Sequence, residues 1–323
     1  MVISLSGPEL PADIDHTIDV LLESELPELI QGNTGYVQSG ETSIWYESIT
    51  PTDSPKGTVL LFMGISNDAL GWPQSFIESL VNAGYQVIRY DYRGTGMSDW
   101  IDDWAENPYS LEDLAADAAV ILDYLGIEQA HLIGVSMGGM VAQEFAINNP
   151  QRVLTLNLMM SSGNIVDEEI PPISSDTTFD LIKIALKYGI FPTERNMIKL
   201  HVASRIILRG DADYAIDVRE VGEGVLYNLR ERRGYNPDAS QQHQEAVFRS
   251  GSRYDELAKI DIPTLVIHGV NDPFIPIEHS EKLAAVIPDA RSKWFENMGH
   301  DVPSELIDSL ITELISNFER NPG

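Results

Sequence analysis

The stretch Gly134-Val135-Ser136-Met137-Gly138-Gly139 constrains this chain more than any other. An apolar run, Ala130–Val135, leads into it, and a helical pattern carrying Met140, Ala142, Phe145 and Ala146 leads out. Gly-x-Ser-x-Gly between a strand and a helix is the pattern of a nucleophile elbow, a tight, strained turn that lifts the Ser hydroxyl clear of the backbone. Side chains two positions before and two after the Ser would collide in such a turn, which accounts for Gly134 and Gly138. The helix that follows points its N-terminal N–H groups at the place where negative charge would develop. Taken alone, the pentapeptide also suits a glycine-rich turn with a capping Ser. The rest of the chain decides between the two.

Thr58–Met63, Gln86–Tyr90, Ala130–Val135 and Val153–Met160 read as strands, with helices over Pro73–Ala83, Ser110–Leu125 and from the elbow to about Asn149. This alternation predicts an α/β fold with a largely parallel sheet covered by helices on both faces. Thr34–Val37 and Thr42–Ile49 flank a turn and predict a hairpin. The alternation stops near Ser161, giving way to helical stretches at Asp180–Tyr188, Glu194–Leu208, Val218–Arg233 and Ala239–Arg249. It resumes with a strand at Pro263–His268, a helix at Glu278–Ile287, a strand at Ala290–Phe295 and a helix at Ser304–Phe318. Residues 34–163 and 256–323 are therefore expected to form one core, and 164–255 a helical cap or lid insertion over Ser136. Residues 1–33 form an N-terminal accessory helical segment. Its stripe of Ile14, Ile18, Leu21, Leu22, Leu26 and Leu29–Ile30 is interrupted near Pro27 and its charges are all acidic; it is expected to pack on the core, with a partner-binding arm as the alternative.

A Ser hydroxyl needs a base, and the base needs an orienting acid. After an elbow, the partners follow in the order acid, then His, each just past a strand. Asp272 lies on the turn Gly269-Val270-Asn271-Asp272-Pro273 after one strand. His300 lies in Glu296-Asn297-Met298-Gly299-His300 after the last. Of the seven histidines only His300 has that position. His131 and His268 fall within strands and are expected to be structural, and the rival acids Asp261 and Asp301 sit off the required turn. The oxyanion hole is assigned to the backbone N–H of Met137 and that of Ile65, on the loop after Thr58–Met63. Trp72 and Leu70, beside that loop, are candidate substrate-binding residues in the pocket wall. Leu181, Ile182, Ile184, Ile190, Phe191, Met197, Ile198 and Leu200 in the insertion serve either an acyl pocket or packing of the lid.

Composition narrows the chemistry. Fifty acidic against 21 basic residues give a formal charge of -29, which argues against nucleic acid and anionic membranes as partners. This acidity fits adaptation to salt or cold, or a plain solubility bias. The absence of cysteine removes thiolate nucleophiles and Cys-ligated metals. The histidines are scattered and no His-Glu-x-x-His occurs, so no metal is expected. Gly94-Thr95-Gly96 lacks the Lys-Ser/Thr pair of a P-loop, no dinucleotide fingerprint follows Gln86–Tyr90, and no cofactor is expected. No apolar run would cross a bilayer and no basic n-region precedes Lys56, so a cytoplasmic location is the expectation; the chain is expected to be a monomer or homodimer acting on a small molecule.

With these residues placed, the chain resembles the α/β-hydrolase superfamily over roughly residues 34–320. The likeness is carried by Phe62-Met63-Gly64, Asp91-Tyr92-Arg93-Gly94-Thr95-Gly96-Met97-Ser98-Asp99, Gly134–Gly139, Pro263-Thr264-Leu265-Val266-Ile267-His268-Gly269-Val270-Asn271-Asp272 and Gly299-His300. Gly71-Trp72-Pro73, Val87–Asp91 and Asn107-Pro108-Tyr109 with Asp113–Asp117 look like the aclacinomycin methylesterase group and related bacterial esterases. The resemblance implies an eight-stranded, mostly parallel sheet with a helical cap, and a Ser-His-Asp hydrolase that cleaves carboxylic esters through an acyl-enzyme. Many members carry His where Met63 stands. Members with an Asp nucleophile are excluded by Ser136. Carbon–carbon bond hydrolysis of vinylogous diketones, peptide hydrolysis, cofactor-free perhydrolysis of the haloperoxidase kind and a non-enzymatic ligand-binding role keep the same residues and stay open.

Overall fold

A computed structural model describes residues 7–321. One helix, α1 (Ile14–Glu23), precedes the hairpin β1 (Asn33–Ser39) and β2 (Thr42–Ile49), which turns through Gly40 and Glu41 with Ser39 paired to Thr42. Then come β3 (Thr58–Phe62), α2 (Gln74–Asn82), β4 (Gln86–Tyr90), α3 (Leu111–Tyr124), β5 (Ala130–Val135), α4 (Met137–Asn148) and β6 (Val153–Met159). After an insertion, β7 (Thr264–Gly269) and β8 (Arg291–Phe295) complete an eight-stranded sheet of order β1-β2-β4-β3-β5-β6-β7-β8. β2 is antiparallel to β1 and β4, and every other pair is parallel. Every residue of β3, β5, β6 and β7 is buried, as strands covered on both faces require.

The insertion between β6 and β7 contains α5 (Ser175–Ile184), which ends in a π-helical turn, α6 (Glu194–Arg209), α7 (Val218–Glu231), α8 (Ala239–Arg249) and the short α9 (Tyr254–Leu257). α5 starts earlier than the apolar spacing indicates because the Ser174 hydroxyl accepts the Thr177 N–H as an N-cap. Two more helices, α10 (Ile277–Val286) and α11 (Ile307–Phe318), flank β8. Leu111, Leu114 and Ile121 of α3, Val141 and Phe145 of α4 and Leu283 of α10 cover one sheet face. Phe76 and Leu80 of α2 with Leu310, Leu314 and Phe318 of α11 cover the other. No described helix is long and apolar enough to cross a membrane.

The N-terminal segment corrects one expectation: α1 packs on the insertion, and the sheet's own layers do not receive it. Its helix ends at Glu23, well before Pro27. Ile14, Ile18 and Leu21 bury against Ile198 and Val202 of α6 and Val225 and Leu226 of α7. Gly222 leaves the space that Leu21 fills. The acidity of α1 has a local reason, since Asp15 and Asp19 pair with Arg195 and Lys199 of α6. Downstream, Leu29–Gly32 is held to the sheet by a buried ion pair. Arg89 Nε meets Glu47 Oε2 at 2.6 Å across β2 and β4, Glu47 Oε1 accepts the Gln31 and Gly32 N–H groups, and Arg89 Nη2 donates to the Leu29 carbonyl. The first six residues of that segment lie outside the described residues.

The insertion is fastened over the ends of β3 and β4 by consecutive arginines. Arg232, 3% exposed, donates to the buried Asp91 and lies 3.2 Å from Asp68, with its guanidinium over the Trp45 ring. Arg233 donates to the Ser98 carbonyl and covers Trp100. The Asp91–Asp99 loop is held from the core as well: Asp91 accepts the Ala69 and Met97 N–H groups, and Arg93 pairs with Asp117 of α3.

Candidate active site

The buried strand β5 turns into α4 at Ser136, whose φ of 56° and ψ of -123° are sterically expensive for a residue with a side chain. The surroundings fix this conformation. The Ser136 N–H donates to the Met159 carbonyl at 2.9 Å, and its carbonyl accepts the Gly139 N–H at 3.0 Å and the Ser161 hydroxyl at 2.8 Å. A Cβ on Gly134 would strike the Gly138 carbonyl, and one on Gly138 would strike that of Phe62. The glycines are therefore set by close backbone approach within the turn and against β3.

Asp272, on the turn after β7, and His300, on the loop after β8, converge on this Ser. His300 Nε2 is 3.0 Å from Ser136 Oγ, and His300 Nδ1 is 2.7 Å from Asp272 Oδ2. The other Asp272 oxygen accepts the Phe274 and Ile275 N–H groups at 2.8 and 2.9 Å. Burial works against the Asp272 anion, but the charge and hydrogen bond of His300, then His268 and the Phe274 N–H, outweigh it and hold the carboxyl below its ordinary range. An ionised carboxylate only accepts, so Nδ1 of His300 carries the proton and the Nε2 lone pair faces the Ser hydroxyl. The Phe274 ring stands edge-on to the imidazole at 5.3 Å. The rival acids are engaged elsewhere or exposed: Asp301 pairs with Arg205 of α6 at 3.2 Å, and Asp261 faces solvent.

Met137 follows the Ser directly, and Ile65 lies on the loop after β3. A Cβ placed on Gly64 would be 3.6 Å from Cβ of Ser136, so the loop after β3 passes directly beside it. Neither the Ile65 nor the Met137 N–H has an acceptor among the described residues. Trp72 is 2% exposed and stacks on Phe76 at 5.0 Å, and the half-buried Leu70 donates its N–H to Asp68 Oδ1 at 2.9 Å. Among the described residues no group of three or more His, Asp or Glu is placed to hold a metal ion.

Several neighbours of the site gave no sign in the sequence. His268, within β7, turns Nε2 to the Ile275 carbonyl at 3.0 Å and lies 3.4 Å from Asp272 Oδ2, while its Nδ1 meets Ser280 Oγ at 2.7 Å. Burial, more than any neighbour, keeps this ring below the usual histidine range. The insertion also reaches the site. The His300 N–H donates to the Leu208 carbonyl of α6 at 2.7 Å, and the Ser66 N–H donates to His243 Nδ1 of α8 at 3.1 Å. Helices that carry no chemistry of their own give no local signal of such contacts. Of the apolar insertion residues, Ile184, Met197 and Ile198 are buried in clusters that the insertion forms within itself and with α1, whereas Ile182, Ile190 and Phe191 are exposed.

Residues 57–195 match a family model described as alpha/beta hydrolase fold, and residues 227–308 match one described as "Serine hydrolase (FSH1)". The rhodomycin D methylesterase of Streptomyces peucetius is 30% identical over 299 residues, covering 88% of this chain and 97% of that protein. The 2-hydroxy-6-oxo-6-phenylhexa-2,4-dienoate hydrolase of Comamonas testosteroni is 29% identical, covering 85% and 93%. Among solved structures, a meta-cleavage product hydrolase of Pseudomonas fluorescens superposes with a TM-score of 0.65 at 22% identity, covering 88% of this chain and 97% of that one.

Proposed function

Because the chain belongs to the alpha/beta hydrolase family, we propose that it is a serine hydrolase of carboxylic esters in which Ser136, His300 and Asp272 form the catalytic triad. The observation that carries this is the unbroken hydrogen-bonded chain from Ser136 Oγ through His300 to Asp272. His300 Nε2 takes the Ser136 proton as Oγ attacks the ester carbonyl. The N–H groups of Ile65 and Met137 stabilise the tetrahedral oxyanion. His300 then hands the proton to the leaving alcohol, and Oγ retains the acyl group. Water, deprotonated by the same imidazole, attacks the acyl-enzyme and releases the acid. Asp272 holds the ring and stabilises the imidazolium without taking its proton. Trp72 and Leu70 form part of the acyl pocket wall. A shifted chain-length preference in Trp72→Ala supports this, and an unchanged profile refutes it.

The relative of Comamonas testosteroni favours a second reading, hydrolysis of a carbon–carbon bond in a vinylogous diketone with the same triad. Steady-state hydrolysis of p-nitrophenyl and methyl esters of increasing acyl length, set beside a 2-hydroxy-6-oxodienoate, separates the two. Turnover of esters by wild type and its loss in Ser136→Ala supports the esterase. Turnover of the dienoate alone moves the assignment to carbon–carbon cleavage.

A further inference from the structure

The oxyanion loop is held from outside its own chain segment. Ser66, the residue after the proposed donor Ile65, has φ 58°, a left-handed conformation that side chains disfavour and that persists only where the surroundings enforce it. The peptide between Ile65 and Ser66 is fastened at both ends. Its carbonyl accepts Asn67 Nδ2 at 3.0 Å and the Ser66 hydroxyl at 2.7 Å. Its N–H donates to Nδ1 of His243 at 3.1 Å, across 177 positions of sequence. This peptide adjoins the one that carries the Ile65 N–H, and with it held, that N–H is free to turn only about the two bonds at the Ile65 Cα. His243 has no exposed surface, and its ring is gripped edge-on by Tyr92 at 5.6 Å and Tyr109 at 6.0 Å. As an acceptor at Nδ1 the ring is neutral and carries its proton on Nε2.

We propose that His243 is a positioning residue for the oxyanion hole: from α8 of the insertion it holds the Ile65–Ser66 peptide so that the Ile65 N–H faces the ester oxygen on which charge develops when Ser136 attacks. The proposal rests on the serine hydrolase reading above. Its consequence is that the hole is complete only when the insertion is seated on the core. The ring does not touch substrate, so its effect falls on stabilisation of the oxyanion and little on ground-state binding. Removing a whole oxyanion donor costs about a hundred- to a thousand-fold in kcat. Loosening one costs less.

The test compares His243→Leu and His243→Asn with wild type and Ser136→Ala on a p-nitrophenyl ester, at matched folding by circular dichroism. Asn offers its amide oxygen where Nδ1 stood, and Leu fills the space without an acceptor. His243→Leu should lose about ten- to a hundred-fold in kcat with KM within about threefold, and His243→Asn should recover most of the loss. Wild-type kcat in His243→Leu, or equal losses in both variants, overturns the proposal while leaving the hydrolase reading intact. Undiminished activity in Ser136→Ala overturns the hydrolase reading itself. If His243→Leu does not fold, the wild-type protein decides. A scalar coupling across the Ser66 N–H to Nδ1 hydrogen bond should be present in the 15N-labelled enzyme, and its absence overturns the proposal.

Discussion

Each proposed triad member lies on a turn or loop that follows a strand, but their chemistry makes them unequal under substitution. Ser136→Ala removes the nucleophile and should lower kcat about a million-fold. Asp272→Asn keeps the shape, but its amide also donates, so the His300 ring can turn its proton toward Ser136. A loss of about ten-thousand-fold is expected, with KM little changed. A kinetic comparison of the two variants on one ester checks both figures, and equal losses would remove the tautomer argument. Gly138 is a packing case: a Cβ there meets the Phe62 carbonyl, and Gly138→Ala should destabilise the protein by about 1–3 kcal/mol in urea denaturation.

At the scale of elements, the insertion is attached to the core by several deeply buried groups. Arg232 leaves α7 and reaches Asp91 and Asp68, both buried. Arg232→Met removes the guanidinium and leaves two carboxylates without their cation, which should cost about 3–5 kcal/mol. Urea midpoints of the variant and wild type measure this, and a loss below about 1 kcal/mol would mean that Arg233 and the α1 contacts hold the insertion without it. The pairing of α1 with α6 explains why an acidic helix adjoins Arg195 and Lys199. Periodicity reveals the apolar stripe of Ile14, Ile18 and Leu21. The surface that receives it is made of α6 and α7, which come together only in the folded insertion.

At the scale of the whole molecule, buried histidines set the response to acid. Burial pushes His131, His201 and His243 each down to about 4, with Arg205 adding to the effect on His201. An unfolded histidine titrates near pH 6.5, so unfolding takes up their protons between about 6.5 and 4. The stability they confer is complete above that range and is lost as the pH falls through it. Asp91 opposes them: burial outweighs Arg232 and pushes it up to about 6, so it releases a proton on unfolding near pH 5. Burial holds His268 and His279 down in the same way, whereas it raises Asp117, Glu144 and Glu220, so the loss that the histidines bring is offset in part. Calorimetric scans from pH 7 to 4.5 should show Tm falling below pH 6. A flat profile would mean that these rings are solvated.

The sequence by itself determined the parts whose causes are local. The Gly134–Gly139 turn, the strand-to-turn positions of Asp272 and His300, and the alternation that builds the sheet follow from backbone sterics and apolar periodicity within a dozen residues. The structure brings Ser136, His300 and Asp272 within hydrogen-bond distance of one another. What only the tertiary structure decided are contacts between segments far apart in the chain. His243 on the Ser66 N–H, Leu208 on the His300 N–H and Arg232 on Asp91 and Asp68 belong to this class. Each joins a polar group to a partner fixed by the docking of one layer on another, and a single histidine or arginine within a helix or strand carries no sign of which buried group it will meet.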